Sequence, residues 1–181
     1  GNEERFMVGT PGNANNVITV GAYDFRGSWT NIEGTQTLYN MTMGTISAYS
    51  SPGFRRDNIV KPEIAAPATY TISPLSKDST SMGRNRDGSP NKANITDDGF
   101  HLAWQGTSAS APYTAGVIAL MLQKNPTLTA VQVKEIFKKT AVKDALTGAT
   151  PNPFWGYGKL NPAAAIRETT PLAGPPRRAG Q

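Results

Sequence analysis

The chain has no cysteine in 181 residues. That excludes a disulfide framework and any metal centre built on cysteine. Histidine occurs once, at His101, so a single imidazole is available for acid–base work. No window approaches the ~20 apolar residues of a membrane helix, so no membrane span is expected, and no signal-peptide pattern is visible. Charge is sparse. Charged residues make up 17% of the chain and the formal net charge is +5. The surplus is scattered apart from Arg55-Arg56, Lys138-Lys139 and Arg177-Arg178. No nucleic-acid motif accompanies it, so no nucleic-acid partner is expected. What the chain has is turn formers, with 18 Gly and 14 Pro, and a hydrophobic content of 38%. This length and apolar content suit one globular domain with many turns and long connections.

Gly106-Thr107-Ser108-Ala109-Ser110-Ala111-Pro112 carries the most chemical information. It leads into an apolar, helix-competent run, Tyr113 to Leu122. A serine at a helix N-terminus lies in the positive end of the macrodipole, beside backbone N–H groups with no intrahelical partner. Those conditions favour an attacking oxygen with an oxyanion next to it. They are also the conditions of an ordinary N-cap, and the chemistry of the residues alone leaves both readings open. Pro112, four residues after Ser108, is expected in or near the first turn, where its missing N–H costs little.

The segment Gly106 to Gly116 resembles the nucleophile motif of the subtilisin-like serine proteases. Gly106, Thr107, Ser108, Pro112, Gly116 and a small residue at Ser110 match, whereas Ala109 and Tyr113 stand where the family usually has Met and His. Further segments resemble the family in the required order. They are Asn16 to Ala22, Ile46 to Gly53, the Lys61-Pro62-Glu63-Ile64-Ala65-Ala66-Pro67 run, and Trp155 to Asn161. Ala68 stands where the family usually has Gly. The resemblance runs from about residue 1 to about residue 167. It implies an α/β fold, part of a mostly parallel sheet with helices packed on it, and peptide-bond hydrolysis through an acyl-enzyme on Ser108.

Gly1-Asn2-Glu3 resembles the family's Gly-Asn-x segment, so the resemblance makes Asn2 a side-chain donor into the oxyanion hole. It also assigns Gly1, Glu3, Gly106 and Thr107 to substrate binding. Glu3 would favour basic side chains before the cut bond, although a terminal carboxylate more often only faces water.

Acyl transfer by serine needs a base, and usually a carboxylate to orient it. In the family both precede the serine in Gly-rich motifs that this chain does not contain. His101 lies in Phe100-His101-Leu102-Ala103-Trp104-Gln105, which reads as a strand with His101, Ala103 and Gln105 on one face. Reaching the helix start from there would require the strand to fold on itself, so His101 reads first as a surface or partly buried structural histidine and only second as a substitute base. The expectation is therefore the C-terminal half of a catalytic domain. Its N-terminal half would be a partner that supplies the Asp and His, and the chain alone would be inactive.

Residues 1–169 are expected to form this part-domain, with an insertion loop at about 73–98 and a Pro/Arg-rich linker or disordered tail at 170–181. A strand is expected at about Val17–Tyr23, short extended pieces at Thr45–Tyr49 and Ile59–Ala65, and a loop over Arg26–Asn40. Thr129 to Gln132 is a capping box. Pro162 opens a third helix. No cofactor is required. The resemblance allows calcium, and Asp97-Asp98 could ligate it, but adjacent acids in a polar loop usually only face water. It also implies a secreted or cell-surface protein acting on peptides or proteins. A strand edge beside Val17–Tyr23, left bare by the absent half, would favour self-association. The rival readings are a non-catalytic binding or scaffold module, and an esterase of another fold. The esterase would want Gly-x-Ser-x-Gly, which this serine does not have.

Overall fold

The computed structural model describes residues 7–172. Nine elements follow in chain order: β1 (Val20–Asp24), β2 (Ser28–Thr30), β3 (Gln36–Leu38), β4 (Ile64–Thr69), β5 (Thr71–Pro74), β6 (His101–Trp104), α1 (Thr107–Lys124), α2 (Ala130–Thr140) and α3 (Pro162–Glu168).

The centre is parallel. β1 pairs with β4 in register from Val20 with Ile64 to Tyr23 with Pro67. On the other side of β4, Ala65 bridges Lys159 in parallel, with Ala65 N donating to Gly158 O at 3.0 Å. All six residues of β4 are buried, as expected of a parallel strand covered on both faces. Ala68 lies in this strand, and its backbone is not among the positive-φ positions. Alanine therefore serves where the family has glycine.

α1 packs across the sheet. Val117 and Met121 meet Ile64 and Ala66, and Val133, Phe137, Leu160 and Ala165 complete the main core cluster. α2 starts at the expected capping box, with the Thr129 side chain accepting from Gln132 N and the Gln132 side chain accepting from Thr129 N. α3 starts at Asn161, whose side chain accepts from Ala164 N, with Pro162 at its first position. Lys124, in the last turn of α1, donates to Ile166 O at 2.8 Å and so ties α1 to the end of α3.

Two expectations need correction. Arg26–Asn40 is not all loop, because β2 and β3 pair as an antiparallel hairpin from Ser28 with Leu38 to Thr30 with Gln36. Long-range packing stabilises it. Trp29, Tyr39 and Tyr70 form one aromatic cluster, with centroids 4.5 to 5.6 Å apart, and the Trp29 indole donates to Ala93 O. Three-residue strands carry too little alternation to be read alone. Second, the edge of β1 is not bare. The Ala22 amide and carbonyl are taken by Ser50 Oγ and Ser47 N, and those of Asp24 by Thr45 O and Gly44 N. The segment expected as an extended piece at Thr45–Tyr49 closes that edge, making only an isolated bridge from Ile46 to Tyr23.

What remains uncovered is a helix face. Ala111, Pro112, Ala115, Gly116, Ala119, Leu120 and Leu122 are exposed, Leu120 at 51%. The opposite side of α1 is the core, so this helix is apolar nearly all round, as is usual for a helix enclosed on every side.

Candidate active site

α1 begins where a short loop leaves β6. Gly106 is its N-cap at φ 132°, a conformation open to glycine and strained for any residue with a Cβ. Among the described residues no side chain caps the helix. Thr107 is the first helical residue and Ser108 the second, so the Ser108 hydroxyl does not serve as the cap. Ser108 is exposed, whereas Ala109 is buried. Ala109 clusters with Ala22 of β1 and Ala68 of β4, flanked by Trp104. Three methyl-sized side chains let the helix start approach the sheet closely and turn Ser108 outward. The Ala109 N–H donates to Gly106 O at 2.8 Å. The N–H of Ser108 belongs to the first turn and has no intrahelical acceptor, so it can meet a developing anion.

Pro112 lies inside α1, in the second turn rather than the first. It has no N–H to give the carbonyl four residues earlier, which is that of Ser108. The first turn is held instead by side chains, with Ser110 Oγ donating to Thr107 O at 3.0 Å and Thr114 Oγ1 to Ser110 O at 2.9 Å.

A cavity of about 270 Å³ opens beside this turn, with Thr107 in its wall. Val8, Gly9, Pro11 and Gly12 also line it, with Val20 of β1. An exposed hydroxyl, a free amide and an adjoining cavity can together bind a side chain and attack a neighbouring carbonyl.

Residues 1–158 match the family described as the subtilase family, Peptidase_S8. The chain belongs to the subtilase family. The serine protease AprX of Bacillus subtilis is 31% identical over 157 residues, covering 85% of this chain and 30% of AprX. Fervidolysin from Fervidobacterium pennivorans, a keratinolytic enzyme related to subtilisin, superposes with a TM-score of 0.61 at 27% identity, covering 91% of this chain and 21% of that one. The Clostridium perfringens CspB protease shares the fold at a TM-score of 0.62 and 23% identity, covering 89% of this chain and 28% of CspB. The first relatives are spanned over only 19% to 56% of their own length. The fold is α/β and subtilisin-like, and it is that of a serine protease.

Among this subtilase's expected site residues, Gly106, Thr107 and Ser108 stand together at the start of α1. Gly1, Asn2 and Glu3 lie outside the described residues. His101 is at the outer end of β6, paired with Pro74, whereas Trp104 pairs with Thr71 at the end nearer α1. At ~3.3 Å per residue the strand alone puts about 10 Å between His101 and Trp104. The His101 ring is held by Asp98, Nδ1 to Oδ2 at 2.6 Å. His101 is thus held at the far end of β6 by a carboxylate of its own.

The Asp97-Asp98 pair does not fit a calcium site. Asp98 Oδ1 accepts from Thr96 Oγ1, Phe100 N and His101 N, and Oδ2 faces the imidazole. These donors hold the Asp98 carboxyl at about 2, below its usual 3.8, the Phe100 N–H contributing most, then the Thr96 hydroxyl. Among the described residues no three His, Cys, Asp or Glu side chains gather as a metal centre. The calcium-dependent protease of Nostoc, 37% identical over 71 residues, covers 36% of this chain.

Sequence reasoning missed the buried ionic cluster behind the cavity. Lys61 and Glu63 are two residues apart in extended backbone, a spacing that puts both on one face, and their side chains pair at 2.7 Å with 1% and 6% exposure. Burial pulls the Lys61 ammonium below its usual 10.5, and Glu63 opposes that shift.

Proposed function

We propose that this chain is the nucleophile-bearing half of a subtilase catalytic domain that hydrolyses peptide bonds in proteins or peptides. Ser108 Oγ attacks the carbonyl carbon. The tetrahedral oxyanion is met by the Ser108 N–H and by the Asn2 side chain. The acyl-enzyme then forms on Ser108 with loss of the amine, and water releases the acid. The proton passes through a histidine oriented by an aspartate, both on the N-terminal half, which also covers the exposed face of α1. Gly1, Glu3, Gly106 and Thr107 line the substrate. The carrying observation is Ser108 exposed and uncapped at the second position of α1 while Ala109 is anchored beneath it. Residues 73–98 are read as an insertion and 170–181 as a linker. Calcium, if the whole protein uses it, binds elsewhere than at Asp97-Asp98. The family's secreted members support a secreted or cell-surface location.

The test is made in the protein with both halves present. Ser108→Ala abolishes hydrolysis with the fold intact. Asn2→Ala lowers turnover by ~10²–10³ with KM little changed, the range known for the equivalent donor in subtilisin itself. Hydrolysis that survives Ser108→Ala contradicts the proposal.

A second reading is a non-catalytic binding or scaffold module. It is favoured by one observation: the sole histidine is engaged by Asp98 at the far end of β6. Upstream Asp and His motifs in the encoding gene separate the two.

A further inference from the structure

Part of the lining of the cavity beside Thr107 comes from the loop residues Met7 to Gly12. What fixes it is a buried cluster of two lysines and one glutamate. Lys61 Nζ lies 2.7 Å from Glu63 Oε1 and donates to Val17 O at 2.8 Å, Ala14 O at 3.2 Å and Thr19 Oγ1 at 3.3 Å. Lys134, reaching in from α2, lies 2.8 Å from the same Glu63 oxygen and donates to Asn15 O at 2.5 Å. Glu63 Oε2 accepts the Thr19 N–H at 2.8 Å. Two ammonium groups face one carboxylate, and the remaining positive charge is met by three loop carbonyls, those of Ala14 and Val17 at Lys61 and that of Asn15 at Lys134. The negative ends of carbonyls gathered on one cation repel one another when that cation is lost. The loop therefore depends on the lysines for its shape.

The cluster reaches the cavity through one short relay. Thr19 Oγ1, which accepts from Lys61, donates to Gly12 O at 2.7 Å. Beside the Ala14 carbonyl held by Lys61, the Asn13 side chain donates to Val8 O at 2.7 Å within the same loop. Thr19, Gly12 and Val8 all line the cavity.

We infer that Lys61, seconded by Lys134 through Glu63, is a positioning residue that fixes the Val8–Gly12 wall of the cavity against which a substrate side chain rests beside Ser108. This rests on the peptidase reading of Ser108. Lys61 touches neither substrate nor reacting atoms, so its loss acts first on substrate fit and only then on turnover.

The experiment uses the protein with both halves present and three variants: Lys61→Met, Lys134→Met and Thr19→Val. Thr19→Val breaks the relay without altering charge, so it is informative even where Lys61→Met does not fold. Hydrogen exchange of the amides in residues 8–17 speeds up in each folded variant, while α1 and α3 keep wild-type protection. For Thr19→Val, KM rises about fivefold, the worth of one hydrogen bond, with kcat within about twofold. Unchanged exchange in residues 8–17, or a fall in kcat at unchanged KM, overturns the positioning role. If the wild-type protein cleaves no peptide while exchange responds as stated, the peptidase reading fails and the wall-fixing role of Lys61 stands.

Discussion

Ala22 on β1 and Ala109 on α1 meet in one cluster at 0% and 2% exposure, next in the chain to the exposed Ser108. The contact requires that neither side chain exceed a methyl group. Ala22→Leu overfills it, and is expected to lower unfolding free energy by about 1–3 kcal/mol, read from the urea midpoint. The same change on the exposed face of α1, at Ala119, leaves the midpoint of the isolated chain within about 0.5 kcal/mol.

Two glycines on this helix respond oppositely. Gly106→Ala forces a Cβ onto φ 132° and costs about 1–3 kcal/mol. Gly116 lies inside α1 with open space where a Cβ would go, so Gly116→Ala stabilises the isolated chain by about 0.5–1 kcal/mol. If the proposed N-terminal half packs on that face, the gain shrinks or reverses in a protein that carries it. Paired denaturation curves read the difference.

The acid end of the stability profile depends on Asp98. Its folded value, about 2, lies below the usual 3.8. The charged form is therefore favoured by folding. The stabilisation is complete above about pH 4 and is lost as pH falls through about 2. Asp98→Asn should lower the urea midpoint near pH 6 and converge with the wild type near pH 2. Equal midpoints at both values would remove Asp98 from the account.

How much of this could be read from the chain depended on the range of the signal. α2 and α3 were legible because their caps are local: Thr129 with Gln132, and Asn161 with Pro162. Ser108 was legible as a motif, but not its place one residue inside the helix, because Gly106 rather than a side chain ends the loop. The β2–β3 hairpin was not legible, since Trp29 is held by Tyr39, Tyr70 and Ala93 from elsewhere in the chain. Lys61 stayed hidden for the same reason. Its acceptors at 14, 17 and 19 lie more than forty residues away in sequence, and the Lys-Pro-Glu run was legible only as part of a family-like segment in an extended piece. The bare strand edge expected at β1 is closed by residues 44–50, and the exposed apolar face lies on α1 instead.

That face sets the association behaviour. The isolated chain is expected to self-associate through the Ala115–Leu122 side of α1, because exposed contiguous apolar surface favours contact. Light scattering shows a mass that rises with concentration, and Leu120→Lys suppresses the rise. A monomer at every concentration would count against an uncovered packing face.

The most direct measurement is labelling with a fluorophosphonate, which needs an activated serine. The isolated chain should label poorly or not at all. With the N-terminal half present, labelling should be rapid, stoichiometric and confined to Ser108. Rapid stoichiometric labelling of Ser108 in the isolated chain would show that a base lies within it, and no labelling with both halves present would show that Ser108 is not a nucleophile.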